Sequence, residues 1–167
     1  GNVAWGTVKK VTELGGKVYD VIVKGKGLLR SLRQAKAIRR IIKEEKPVAV
    51  HSHYYSNNGI YLYQAYKEGV PVRISHCHQS NPSELTIGKK IAKWFSARLV
   101  KKFATESYAC SETARRFLYG DCGEVVFNSV DYEKFCLQSG DLFAEYKLDK
   151  SKRYFLFVGR FSEQKNI

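Results

Sequence analysis

Apolar and polar positions along the chain follow two periods that take turns. Val18-Tyr19-Asp20-Val21-Ile22-Val23 is β-branched and aromatic and predicts a short strand, followed by a turn at Lys24-Gly25-Lys26-Gly27. From Leu28 to Glu45 the apolar residues Leu28, Leu32, Ala35, Ile38, Ile41 and Ile42 recur at helical spacing, with basic residues between them. Pro47 stops that helix, and Val48-Ala49-Val50-His51 reads as a buried strand. A helix over Gly59 to Glu68 follows, closed by Gly69 as the residue after the cap and by Pro71 just beyond. Next come a strand over Val72 to His76 and a helix over Lys89 to Thr105, with Ile91, Phe95, Leu99 and Phe103 on one stripe. The pattern continues with a strand at Tyr108-Ala109-Cys110, a helix over Glu112 to Tyr119 and a strand over Glu124 to Phe127. Asp131 to Arg153 is irregular enough for a linker with a helical piece, and Tyr154 to Val158 is a strongly apolar strand. Strands alternating with amphipathic helices predict an α/β, Rossmann-like parallel sheet with helices on both faces. In such sheets ligands bind beyond the carboxyl ends of the strands.

Composition narrows the class. Over 167 residues, 44% are hydrophobic and 27% charged, the balance of a folded globular domain. Apolar runs fall short of the ~20 residues a spanning helix needs, and the start lacks the cationic and apolar blocks of a signal peptide. A cytoplasmic location is the expectation. The sequence has no methionine, so it is expected to begin inside a longer gene product. Cys77, Cys110, Cys122 and Cys136 are scattered and predict reduced thiols. The formal charge of +13, from 29 Lys and Arg against 16 Asp and Glu, favours an anionic partner without choosing one. In the Lys89 to Thr105 helix, Trp94 and the apolar stripe alternate with lysines, a pattern that suits an anionic membrane surface as well as a sheet.

The chemistry gathers at the strand ends. All four histidines stand there as two pairs, His51-Ser52-His53 and His76-Cys77-His78. Rings that continue a strand point to one side, whereas a bend at the strand end lets them diverge. Four imidazoles raise the question of zinc, but the linear spacing matches no structural zinc pattern and Glu84 is the only nearby carboxylate. Sequence spacing therefore predicts no metal. Each pair is followed by short polar residues, among them Asn57 and Asn58 after the first and Gln79 and Ser80 after the second. Their amides and hydroxyls can hydrogen-bond sugar hydroxyls or cap the following helices, as Ser111 can. At the end of the chain, Gly159-Arg160 and Lys165 follow the apolar strand, a glycine turn with two cations suited to a diphosphate.

The stretches VAVHSHYYSNNG, VRISHCHQSNP, SYACSE, VVFNSVDYEKF and FLFVGRFSEQKN, in that order, resemble retaining GT-B glycosyltransferases. More narrowly, they resemble the bacterial "group 1" (family 4) type that builds capsular and exopolysaccharides. The resemblance covers essentially the whole chain. It implies an incomplete GT-B N-terminal domain over 1–149, on the acceptor side and with its crossover linker. Residues 150–167 would be the first strand and turn of the C-terminal donor-binding domain. It further implies His78 as the active-site histidine near the transferring sugar and His53 in the same cleft, with Asn57, Gln79 and Ser80 on the acceptor side. Asn128 matches the asparagine of the domain crossover, and Gly159, Arg160 and Lys165 match the donor-diphosphate turn. The implied partners are a nucleotide-sugar donor and a saccharide or lipid-linked acceptor, with no nucleic acid, no metal and no cofactor. Phe127 and Ser129 depart from the family's proline and glycine, which puts a positive φ at Ser129 in question. The family's first strands would lie between the Val18 and Val48 strands, so the chain by itself is expected to be inactive.

Two other readings use the same residues. One is a non-catalytic module that binds polyanions or a membrane surface through its positive charge. The other is a different sugar-phosphate enzyme on the same fold, which fold alone does not separate.

Overall fold

The computed structural model describes residues 5–25, 27–54, 57–79, 87–133, 140–159 and 161. Its elements are α1 (Trp5–Glu13), α2 (Gly27–Glu45), β1 (Ala49–Ser52), α3 (Asn58–Lys67) and β2 (Val72–Cys77), then α4 (Ile87–Phe103), β3 (Glu106–Ala109), α5 (Glu112–Tyr119), β4 (Glu124–Val125) and α6 (Leu142–Glu145). The strands form one parallel sheet in the order β1-β2-β3-β4. With helices around it, this is the α/β, Rossmann-like architecture that the alternating periods predict.

The sheet's two faces differ. Val50 packs with Ile42 of α2 and Ala65 of α3, while Cys77 and Ala109 pack with Ala114 and Leu118 of α5. Val50, Ser52, Ser75, Cys77 and Ala109 thus meet helices. His51, Ile74, His76 and Tyr108 alternate with them and lie on the opposite face.

Helix ends follow local chemistry. Ser111 caps α5 by accepting a hydrogen bond from the Ala114 amide at 3.2 Å. At the end of α3, Gly69 sits at φ 74°. The Gly69 amide donates to the Tyr66 carbonyl at 3.0 Å and the Val70 amide to the Ala65 carbonyl at 3.0 Å, a Schellman closure.

Helices α3 and α4 touch through small residues. A Cβ on Gly59 would lie 2.5 Å from the Ser96 carbonyl oxygen and 2.6 Å from Leu99 Cβ. This close approach turns Ser96, Val100 and Phe103 inward and leaves Ile91, Trp94 and Phe95 at least half exposed. The stripe predicted for this helix is therefore only half a core stripe. The contact joins small residues at Gly59 and Ser96 to aromatic pairs of Phe103 with Tyr63 and Tyr66, and the bulky residues of the first half of α4 face outward.

Other departures have physical causes. Val18–Val23 is not a strand and does not pair with β1, which remains the edge of the sheet among the described residues. The segment instead ties to α2: Lys17 Nζ meets Glu45 Oε1 at 2.7 Å, Tyr19 donates its hydroxyl to the same carboxylate, and Arg33 donates to the Lys24 carbonyl at 2.8 Å. Tyr154–Val158 is likewise unpaired, with Phe155 97% exposed. The strand predicted over Glu124 to Phe127 stops at Val125. Helix α1 stands where the sequence reads as a polar opening; its apolar residues Trp5, Val8 and Val11 are spaced by three, but β-branched residues weaken the signal. Ser129 is not among the positive-φ residues, so the backbone at this position is not left-handed. Cys77, Cys110 and Cys122 are free thiols, as predicted; Cys136 lies outside the described residues.

Candidate active site at the ends of two parallel strands

Strands β1 and β2 run side by side with Ala49 opposite Val72 and Ser52 opposite Ser75. That register carries the two histidine pairs to the same end of adjacent strands. The pairs interlock: His51 Nε2 lies 3.2 Å from His76 Nδ1, and His53 Nδ1 lies 2.8 Å from His78 Nε2. The His51 and His53 ring centroids are 4.0 Å apart, and those of His76 and His78 are 4.2 Å apart. The pairs do not diverge; all four rings form one stack.

A ring-to-ring hydrogen bond needs one N–H donor and one free lone pair, so each contact requires a neutral acceptor nitrogen. The surroundings favour the neutral form. Burial, and then the nearby His78, lower the pKa of His51; burial, and then His51 and His78, lower that of His53. His76 is only 8% exposed, and burial followed by repulsion from His78, His53 and His51 brings its pKa down to about 4. Its Nε2 is buried without a hydrogen-bond partner among the described residues. His53 and His78 are exposed and present an imidazole edge to whatever binds beyond the strands.

Beneath the stack lies a buried polar chain. Ser52 Oγ donates to Asn58 Oδ1 at 2.7 Å, and Asn58 Nδ2 donates to Ser75 Oγ at 2.9 Å. Ser75 Oγ in turn lies 2.7 Å from the Tyr119 hydroxyl, whose pKa is raised by burial. Asn58 and Ser75 are fully buried, so this chain fixes α3 and α5 against the two strands that carry the histidines.

The structure brings together His53 and His78, with exposed Gln79 directly following. Asn57 belongs elsewhere: its Nδ2 donates to the Tyr61 hydroxyl at 3.1 Å and its Oδ1 accepts from Ser31 at 3.3 Å. It occupies the cap position of α3 without a side-chain cap bond. Asn128 and Gly159 are exposed in irregular segments. Ser80, Arg160 and Lys165 lie outside the described residues. Sequence reasoning took Asn58 for a capping candidate and missed its role in the buried chain. The signal in the sequence was limited to a serine within each of the two strands, Ser52 and Ser75, and their pairing appears only in the strand register.

Comparison with known proteins bears on the family of the chain. No solved structure gives a significant match. The chain is 30% identical over 135 residues to the Bacillus subtilis (strain 168) protein named "Putative glycosyltransferase EpsF"; the match covers 76% of this chain and 35% of that relative. The chain therefore spans about a third of the length of the relative it matches. Residues 9–134, which include the whole sheet and all four histidines, match the model of Glycosyltransferase Family 4. The chain belongs to glycosyltransferase family 4.

Proposed function

We propose that this chain is the acceptor-side part of a retaining GT-B glycosyltransferase that moves a hexose from a nucleotide-sugar to a saccharide or lipid-linked acceptor in cell-surface polysaccharide synthesis. The observation that carries the reading is the 2.8 Å contact of His53 with His78 at neighbouring strand ends, within a family 4 domain. Glycosyl transfer builds positive charge on the sugar and negative charge on the departing diphosphate. His78 is an exposed imidazole held by His53, suited to hydrogen-bond a sugar hydroxyl near the reacting carbon. Exposed Gln79 continues that polar edge, and Ser80 is a further acceptor-side hydroxyl in this reading. Asn57 keeps an acceptor role only through its neighbours, since its own amide is engaged with Tyr61 and Ser31. Asn128, Gly159, Arg160 and Lys165 serve the donor, with the two cations stabilising the leaving diphosphate so that the transfer step needs no metal.

The protein would work on the cytoplasmic side of a membrane. Among the described residues no helix is long and apolar enough to cross one. Ile87, Ile91, Trp94 and Phe95 of α4 are exposed beside Lys90, Arg98, Lys101 and Lys102, which supports docking on an anionic leaflet where lipid-linked acceptors reside. Calorimetry on the complete polypeptide carrying this chain tests the donor assignment. Arg160→Ala and Lys165→Ala are each expected to weaken nucleotide-sugar binding while leaving acceptor binding unchanged. Unchanged donor affinity in both variants would overturn it.

A further inference from the structure

Linear spacing argues against a metal, yet the strand register assembles a ligand set that spacing cannot display. We propose that His51, His53 and His76 form a binding site for one divalent transition-metal ion of the zinc class. One ligand nitrogen from each of the three rings can be chosen so that all lie within 4.8 Å of one another. The His51 Nε2 to His76 Nδ1 separation of 3.2 Å is close to the roughly 3.3 Å between two ligands of a tetrahedral zinc with bonds near 2.0–2.1 Å. His76 is only 8% exposed and turns its Nδ1 toward His51, so the ligand set rests on the geometry of these three rings.

The donor chemistry selects the ion. Three imidazoles suit zinc, nickel, cobalt or copper, whereas magnesium and calcium require oxygen ligands. Three protein ligands leave a tetrahedral ion one open position, and exposed His51 and His53 leave that position accessible. His78 stays outside the ligand set and remains in contact with His53. An ion here would tie the ends of β1 and β2 together and place positive charge beside the acceptor edge. It takes no part in the transfer step proposed above, so the two ideas stand or fall separately.

The test uses the untagged, metal-free chain, whose only histidines are these four. Titration with zinc chloride by calorimetry is expected to show one saturable equivalent, and cobalt(II) should give the visible absorption of a tetrahedral site. Magnesium chloride should give no binding. His51→Gln and His53→Gln change exposed rings and should preserve the fold, which circular dichroism checks; each is expected to weaken zinc at least tenfold. Cys122→Ser removes an exposed thiol and should leave affinity unchanged. Absence of saturable zinc binding, wild-type affinity in both histidine variants, or loss of binding only in Cys122→Ser would each overturn the site.

Discussion

Asn58 Nδ2 donates to Ser75 Oγ at 2.9 Å, with both side chains fully buried between α3 and β2. Because Asn58 also accepts from Ser52, one amide fastens the helix to both histidine-bearing strands. Asn58→Ala leaves two buried hydroxyls short of a partner. At about 1–3 kcal/mol for a buried group left unsatisfied, the expected loss is about 2–3 kcal/mol of stability by denaturant titration. A loss near zero would mean that water replaces the amide.

Gly59 gives a second, sterically defined prediction. Alanine has the better helix propensity by about 1 kcal/mol, but its Cβ would stand 2.5 Å from the Ser96 carbonyl, which is backbone and cannot swing away. Overpacking of about 1–3 kcal/mol should win, so Gly59→Ala lowers the melting temperature. Gly88→Ala in α4 meets nothing within 4 Å and should be neutral or slightly stabilising. The opposite order of the two variants would contradict the packing described for α3 and α4.

Acid stability follows from His76. Its pKa is lowered from 6.5 to about 4 in the folded protein, so between those values the unfolded chain binds a proton that the folded one refuses. Stability is therefore full above pH ~6.5 and falls as pH drops toward ~4, by up to about 3 kcal/mol. His51 and His53 act with the same sign. The lowered carboxylates Glu45, Asp141 and Asp149 add their losses only at lower pH, below their ordinary values of 4.5, 3.8 and 3.8. Unfolding free energy from urea titrations at pH 7.0, 5.5 and 4.5 should fall progressively, and His76→Asn should flatten that fall. A flat wild-type profile over this range would show that the rings are solvated.

The outer face of α4 predicts salt-dependent membrane docking. Arg98 lies over the Trp94 ring at 4.9 Å, while Lys93 is turned inward over Phe117 at 3.8 Å, where burial lowers its pKa. Among the described side chains of α4, Lys90, Arg98, Lys101 and Lys102 are exposed cations, each contributing about 1 kcal/mol near an anionic surface. The protein should co-sediment with anionic liposomes at low salt, release as salt rises, and ignore neutral ones. Trp94→Ala should weaken the association. Binding that salt does not change would contradict electrostatic docking.

The sheet was legible in the sequence because short strand-like segments alternate with amphipathic helices and with Gly and Pro breaks. Val72 to His76 and Glu112 to Tyr119 match the observed β2 and α5 within a residue. Val18–Val23 and Tyr154–Val158 carry the same apolar signal and form no strand, because composition records a preference for pairing and not the presence of a neighbour. The histidine pairs were visible as pairs, but their interlocking depends on the β1–β2 register, which no local pattern encodes. The outward turn of Ile91 and Phe95 depends on Gly59, a residue of a different helix. Arrangements between elements were the part that local reading could not supply.

The central claim concerns His78. In the complete polypeptide carrying this chain, His78→Ala should reduce glycosyl transfer about 100-fold, or roughly 2.7 kcal/mol of transition-state stabilisation, with nucleotide-sugar affinity little changed. His53→Ala, which removes the ring that holds His78 at 2.8 Å, should lower turnover by a smaller factor. The decisive measurement is turnover of folded His78→Ala at saturating donor and acceptor. A loss of about two orders of magnitude supports an acceptor-side catalytic imidazole, and turnover within about threefold of wild type would remove His78 from the site.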